Sequence, residues 1–264
     1  MTAIFDNIIR QLFLFIKIRI GIYKLEALSK CPVCSHGKLQ NCSKHLRGFV
    51  KIELKKCLHC GVIFQTPRLD SGSLQRFYEF EYRFSLFDLH KDIVENTFNR
   101  GIRRGEKISR FLEKGGISIE GKRIYEIGCG YGGILEYFKS RGCSVWGSDF
   151  TPKAVNYGRN RGLNLEVGSL GILRSLEIKP EIVILSHVLE HIEKPVEFLK
   201  EINDLIDEKT IVYVEIPVLE KRSVQIGHLV FYTPETLNDT LARSGLNLVD
   251  CNEKIQAVCS KLSL

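Results

Sequence analysis

The sequence predicts an α/β protein: a mostly parallel, seven-stranded sheet between helices with an antiparallel last strand, preceded by a small cysteine-bearing module and an amphipathic N-terminal helix. Three observations predict it. The apolar run Ile124, Tyr125, Ile127 ends in the glycine-rich turn Gly128-Cys129-Gly130-Tyr131-Gly132-Gly133, with helical spacing from Ile134 to Arg141; strand, tight turn and helix in that order make one unit of a parallel sheet. Two further apolar runs, Ile182 to Ser186 and Thr210 to Pro217, bracket a helical stretch over Val196 to Ile206. Two Cys-x-x-Cys pairs lie far upstream, where no such alternation occurs. A chain of 264 residues has room for one well-packed domain and a small module. The expected division is an amphipathic helix over 1–28, a zinc-ribbon-like module over 29–68, a helical linker or cap over 69–116 and a cofactor-binding sheet domain over 117–264.

In the first segment, Ile4, Phe5, Ile8, Ile9, Leu12, Phe13, Ile16 and Ile20 cover one side of a helical wheel, while Asp6, Asn7, Arg10, Gln11, Lys17, Gly21 and Lys24 fall on the other. Such a helix either lies in a membrane interface, here through residues 3–24, or docks its apolar face on the protein's own core or a second subunit. The longest apolar run, Leu12 to Ile16, is too short to span a bilayer. Charge points the same way: residues 1–60 hold 11 Lys or Arg against 3 Asp or Glu, and the rest of the chain holds 27 against 28. The excess favours an anionic neighbour, whether a membrane surface, a phosphate-bearing substrate or RNA, unless the lysines are simply solvated. The basic residues are scattered and form no arginine-rich stripe, so nucleic acid is not the expected partner.

The second segment carries Cys31-Pro-Val-Cys34 and Cys57-Leu-His-Cys60, 22 residues apart, with a strand-like stretch from Phe49 to Lys55 between them. A small residue or glycine after each pair permits the tight knuckle in which backbone amides face thiolate sulfur. Cys31, Cys34, Cys57 and Cys60 are the expected ligands of one structural Zn2+; four thiolates leave no open position for catalysis. The competing reading is a pair of redox motifs, which needs a Cys-x-x-Cys opening a helix, a context neither pair has. Cys42, His36, His45 and His59 are read as bystanders. Nine cysteines, an odd number, with no secretory signal argue for a reducing compartment, hence the cytoplasm, with the inner membrane face open to a peripheral helix.

The third segment opens on Phe77-Tyr-Glu-Phe-Glu-Tyr-Arg-Phe84, expected as interdomain core or as a stacking surface, and continues with one or two helices over Asp88 to Lys114. In the fourth, the glycine turn and an acid at Asp149, ending the next strand, fit a nucleotide cofactor whose ribose hydroxyls meet that acid. Gly128-x-Gly130-x-x-Gly133 also satisfies the dinucleotide fingerprint. Glu126 discriminates: a carboxylate two residues before the first glycine repels a pyrophosphate but suits a cofactor bearing an ammonium and a sulfonium.

On these residues the chain resembles the class I S-adenosylmethionine-dependent methyltransferases, a Rossmann-like family. Ile182-Val-Ile-Leu-Ser-His-Val-Leu-Glu-His-Ile-Glu-Lys-Pro195 is similar to the family's fourth strand and the turn after it, and Thr210 to Pro217 to its fifth strand. His228-Leu-Val-Phe-Tyr-Thr-Pro-Glu-Thr-Leu237 is similar to the following stretch of a large bacterial subgroup, and Leu246 to Cys251 with Ile255 to Ser260 to the closing antiparallel pair. The resemblance spans residues 90–262 and implies S-adenosyl-L-methionine held by Glu126, Gly128, Gly130, Tyr131, Asp149, Phe150, Ser169 and Ser186. Ser169 stands where the family often has an acid for the adenine amino group. Some bacterial sugar and polysaccharide methyltransferases resemble the chain in their N-terminal zinc module. The sugar C-methyltransferases among them have a further C-terminal domain that these residues do not contain, so a hydroxyl acceptor is expected.

The expected reaction is methyl transfer to a hydroxyl of a carbohydrate or glycan-biosynthesis intermediate; RNA methylation, or metal-assisted O-methylation of a small molecule, is the alternative. Transfer from a sulfonium needs positioning and, for a hydroxyl, a base. His187, at the end of the fourth strand, and His228 are the candidates, with His191 behind them. A metal-assisted alternative rests on His187-x-x-Glu190-His191, similar to small-RNA 2′-O-methyltransferases and ubiquinone-pathway O-methyltransferases, which carry an acid at the first position. His187, Glu190 and His228 are then the metal set.

Overall fold

A computed structural model describes residues 12–47, 49–80 and 91–262. The Ile4 to Ile9 part of the N-terminal amphipathic stretch and the aromatics at 81–84 lie outside the described residues. The chain folds into two compact units that are not contiguous in sequence: residues 90–189, 196–216 and 241–264 form one, and 1–89, 190–195 and 217–240 the other.

The first unit holds the seven-stranded sheet. Its strands are β6 (Arg123–Ile127), β7 (Ser144–Asp149), β8 (Asn164–Val167), β9 (Ile182–Ser186), β10 (Ile211–Glu215), β12 (Leu246–Cys251) and β13 (Gln256–Lys261), in the spatial order β12-β13-β10-β9-β6-β7-β8. Strands β10, β9, β6, β7 and β8 pair in parallel, and β13 runs antiparallel to both its neighbours. The three central strands are buried along nearly their whole length, as continuous Val/Ile/Leu runs require when helices cover both faces. The order reverses between β6 and β9, so the carboxyl end of β6 is a topological switch point, where open parallel sheets bind ligands.

The helices are α3 (Lys91–Lys114), α4 (Gly133–Ser140), α5 (Pro152–Arg159), α6 (Gly171–Ser175) and α7 (Pro195–Leu205), with α8 (Pro234–Arg243) crossing from one unit to the other. The sequence predicts a linker over 69–116, but α3 belongs to the sheet unit. The reason is close backbone packing: a Cβ on Gly101 would lie 2.8 Å from the Gly133 Cα, and one on Gly133 would lie 2.2 Å from the Phe98 carbonyl oxygen. Ile108 and Leu112 then continue from α3 into the core around Ile124, Phe138 and Ile184.

The second unit contains α1 (residues 12–19), β1 (Leu25–Glu26), β2 (Leu39–Arg47), β3 (Val50–Cys57), β4 (Ile63–Gln65), β5 (Arg68–Leu69), α2 (Ser71–Phe80) and β11 (Val230–Phe231). Its main sheet has the order β11-β4-β3-β2, all antiparallel, and β1 pairs with β5. Residues 217–240, expected in the sheet domain, join this unit because Val230 and Phe231 cover the open edge of β4. Among the described residues no helix is long and apolar enough to cross a membrane.

Candidate active site

At the end of β6 the chain turns through Gly128 and Gly130, both left-handed. Gly128 is required twice over: its φ is 71°, and a Cβ there would meet the Val188 side chain at 2.7 Å. Glu126 is buried just before the turn. Asp149, at the end of β7, is also buried, and its carboxylate braces the turn: Oδ2 accepts the Gly130 N–H at 2.9 Å and Oδ1 the Thr151 N–H at 2.8 Å. A carboxylate offers about four lone-pair positions, so both oxygens can still accept from ribose hydroxyls. Sequence reasoning assigns Asp149 the ribose role alone and misses the bracing.

The other expected cofactor residues are placed unevenly. Phe150 is 64% exposed beside Asp149. Tyr131 is buried in a small cluster with Phe98, its ring edge-on to Tyr157 at 5.3 Å. The Ser169 carbonyl accepts from Tyr125 Oη at 3.2 Å and from Ser148 Oγ. Gly133, third glycine of the fingerprint, packs under α3.

Ser186 ends β9, and its hydroxyl donates to Glu215 Oε2 at 2.8 Å. Glu215, at the end of β10, also faces the Arg104 guanidinium at 3.9 Å. Neither Glu215 nor Arg104 stands out from sequence; an acid ending an apolar strand is the available signal. His187 follows with φ 57°, and its backbone N–H donates to the Glu215 carbonyl at 2.8 Å.

Within the other unit, Glu190, His191 and His228 present ligand atoms that all lie within 4.8 Å of one another. Glu190 and His228 are buried, and the two imidazoles meet edge-on at 4.7 Å. His191 Nδ1 lies 2.8 Å from the Gly227 carbonyl and 2.8 Å from Tyr78 Oη, while Tyr78 Oη donates to that carbonyl at 3.0 Å. The other ring nitrogen, Nε2, lies 3.8 Å from Glu190 Oε1. The cluster contains His191 where the sequence places His187: His187, left-handed directly after β9, falls in the sheet unit.

The four cysteines come together as their spacing predicts. The Cys31 and Cys60 sulfurs are 3.6 Å apart, those of Cys34 and Cys57 3.5 Å, and all four lie within 4.8 Å of one another. Zn–S bonds of about 2.3 Å in a tetrahedron set an S–S edge of about 3.8 Å, and a disulfide needs about 2.05 Å. The spacing fits a metal. Ser35 and Gly61, each just after a pair, are left-handed, and the Val33 and His59 N–H groups face the Cys31 and Cys57 sulfurs at 3.4 Å. Burial opposes the Cys57 thiolate, but the amides of Cys60 and His59 and the neighbouring thiols bring its pKa down to about 7. Burial pushes Cys34 up to about 11. A divalent cation deprotonates coordinating thiols outright.

Residues 99–250 match the model of a methyltransferase-domain family. That is more than half of the chain, and the chain belongs to this family. The expectation of a methyltransferase holds at that level. Solved structures with similar folds include an O-methyltransferase from neocarzinostatin biosynthesis in complex with S-adenosyl-L-homocysteine (16% identity, 54% of this chain and 50% of that one, TM-score 0.46). Others are a SAM-dependent methyltransferase from Archaeoglobus fulgidus (23%, 60% and 80%, 0.46) and magnesium protoporphyrin IX methyltransferase from Synechocystis (14%, 73% and 95%, 0.48). The chain spans half the length of the first. Among curated proteins no relative matches.

Proposed function

We propose that the protein moves a methyl group from S-adenosylmethionine to a hydroxyl of a carbohydrate or glycan-biosynthesis intermediate. One observation carries the donor assignment: two buried acids, Glu126 and Asp149, flank a left-handed glycine turn at the switch point of the sheet. This donor set suits a cationic nucleoside. Amides of the turn and the Asp149 carboxylate address the ribose, and Glu126 favours positive charge at the other end. When bound, S-adenosylmethionine supplies an electrophilic methyl on a sulfonium. Phe150, exposed beside Asp149, offers a ring face to the adenine.

The chain's own contribution to chemistry is positioning and proton removal. His187 or His228 takes the hydroxyl proton. The test begins with methyl uptake by sugar nucleotides and glycan lipids. Each His→Ala variant is then compared for turnover and donor affinity; normal turnover in both removes the base assignment.

A second reading has its own observation, the Glu190, His191 and His228 cluster. An imidazole with Nδ1 against a backbone carbonyl and Nε2 turned toward a buried carboxylate is an arrangement that metal-ligating histidines use. In this reading a divalent cation at the cluster polarises the acceptor hydroxyl and His228 is a ligand. Chelation that stops turnover, with full recovery on adding Mg2+ or Mn2+ and no loss of zinc, selects it over the base reading. For Cys31, Cys34, Cys57 and Cys60 we propose one structural Zn2+ per chain.

A further inference from the structure

The apolar stripe of α1 faces away from the protein. At about 100° per residue Leu12, Phe13, Ile16 and Ile20 share one sector about 100° wide. A helix docking that stripe on its own core would bury it. Instead Phe13 is 56% and Ile20 66% exposed, with Leu12 and Ile16 exposed as well. What attaches the helix is its opposite side: Phe15 is half-buried, its ring 6.1 Å from Phe49, and Tyr23 just beyond the helix is fully buried. That contact also brings the tip of the β2–β3 hairpin beside the helix, and there Phe49 and Leu46 are exposed, Leu46 to 71%.

Cations border this apolar face. On the wheel Lys17 and Arg19 fall just outside the two edges of the stripe. Their long stems lie against rings, Lys17 Nζ 5.8 Å from the Tyr23 centroid and Arg19 Cζ 5.4 Å from that of Phe15. Lys24, Lys44 and Lys51, on the adjoining chain, are exposed. Apolar residues able to enter an acyl layer, bordered by side chains able to reach phosphates, define an interfacial helix.

We propose that α1 and the β2–β3 tip form one attachment face for an anionic phospholipid surface. Charge decides between this occupant and a second copy of the chain. A two-fold dimer sets the same face against itself, bringing the basic border of one copy, with Lys17 and Arg19, against the basic border of the other. A sheet of lipid phosphates is complementary to all of them and accepts Phe13, Ile16 and Leu46 together. The exposed residues of the face are mostly aliphatic, Leu12, Ile16, Ile20 and Leu46 beside Phe13 and Phe49, which favours an acyl layer over nucleic acid bases. The proposal does not depend on the methyl-transfer reading.

The test is co-sedimentation of the full chain with vesicles of phosphatidylcholine alone and of phosphatidylcholine mixed equally with phosphatidylglycerol. Binding to the mixed vesicles, weak binding to the neutral ones and decline with added salt are expected. Lys17→Glu with Arg19→Glu should reduce partitioning about tenfold or more, and Phe13→Ser with Ile16→Ser should also release the protein. Zinc content and the thermal transition report folding; Ile20→Ser, just past the exposed last turn, replaces any pair that lowers the transition. Failure of the wild type to bind mixed vesicles, or undiminished binding by the variants, overturns the proposal. So does a dimer in solution that the same substitutions dissolve without any vesicle binding.

Discussion

The two units are held together by different means. In the sheet unit β6, β9 and β10 are buried on both faces, and apolar burial, at about 25 cal/mol per Å2, contributes most of the stability. In the cysteine unit β2 has no buried residue, and β3 buries four of its eight. The core of this unit is confined to one face of the sheet, around Ile52, Leu54, Phe64 and Tyr232, and in the proposed zinc reading four thiolates on one metal cross-link what that core leaves exposed. The two proposals divide along the same line. A cofactor turn needs a rigid sheet edge, while surface attachment needs only an outward face on a stapled module.

The strongest way to break this comparison is to remove the metal. Cys57→Ser, or prolonged chelation, should remove the zinc and unfold the cysteine unit, since structural zinc contributes about 10–16 kcal/mol in small modules. Hydrogen exchange should show β2 and β3 losing protection while β6 and β9 keep theirs. Equal loss in both units contradicts the division. Next in size is Leu185→Ala, which deletes a fully buried side chain from β9 and should cost about 2–5 kcal/mol in denaturant unfolding. Leu46→Ala, at an exposed hairpin position, should stay within about 0.5 kcal/mol.

Asp149→Ala should weaken donor binding by about 1–3 kcal/mol by calorimetry. It also strips the Gly130 amide of its acceptor, so the glycine turn should exchange faster in the same variant. Smallest is a pH effect at the sheet's other edge. The Lys122 ammonium, with the Arg123 amide and guanidinium, holds the Glu181 carboxyl below the usual carboxylate range. A depressed folded pKa stabilises above the unfolded value, and the gain disappears as pH falls through the folded one. Glu181→Gln should therefore cost under about 1 kcal/mol at neutral pH, solvent screening included, and nothing in strong acid. A cost that persists in acid points to packing instead.

Much of this is legible in the sequence because it rests on unbroken patterns. Apolar runs mark the central strands, the glycine turn with Glu126 and Asp149 marks the sheet edge, and paired Cys-x-x-Cys spacing marks the thiolate cluster. What the sequence hides follows from contacts without periodicity. A two-residue strand, β11, carries no pattern of its own, so residues 217–240 read as part of the sheet domain. Gly133 satisfies a fingerprint but serves close packing with α3. His187 and His191 cannot be told apart by spacing, because the strand ends at Ser186 and the left-handed conformation of His187 carries no sequence pattern. The α1 stripe is visible, but a helical wheel does not say which side faces the protein.

The methyl-donor site is the centre of the functional reading, and calorimetric titration of the purified chain tests it most directly. S-adenosylmethionine should bind with one site per chain, NADH should not bind, and Glu126→Gln should weaken the methyl donor by about 1–3 kcal/mol, the loss of a hydrogen bond to a charged group. Binding of NADH in place of S-adenosylmethionine, or an affinity unchanged in Glu126→Gln, contradicts it.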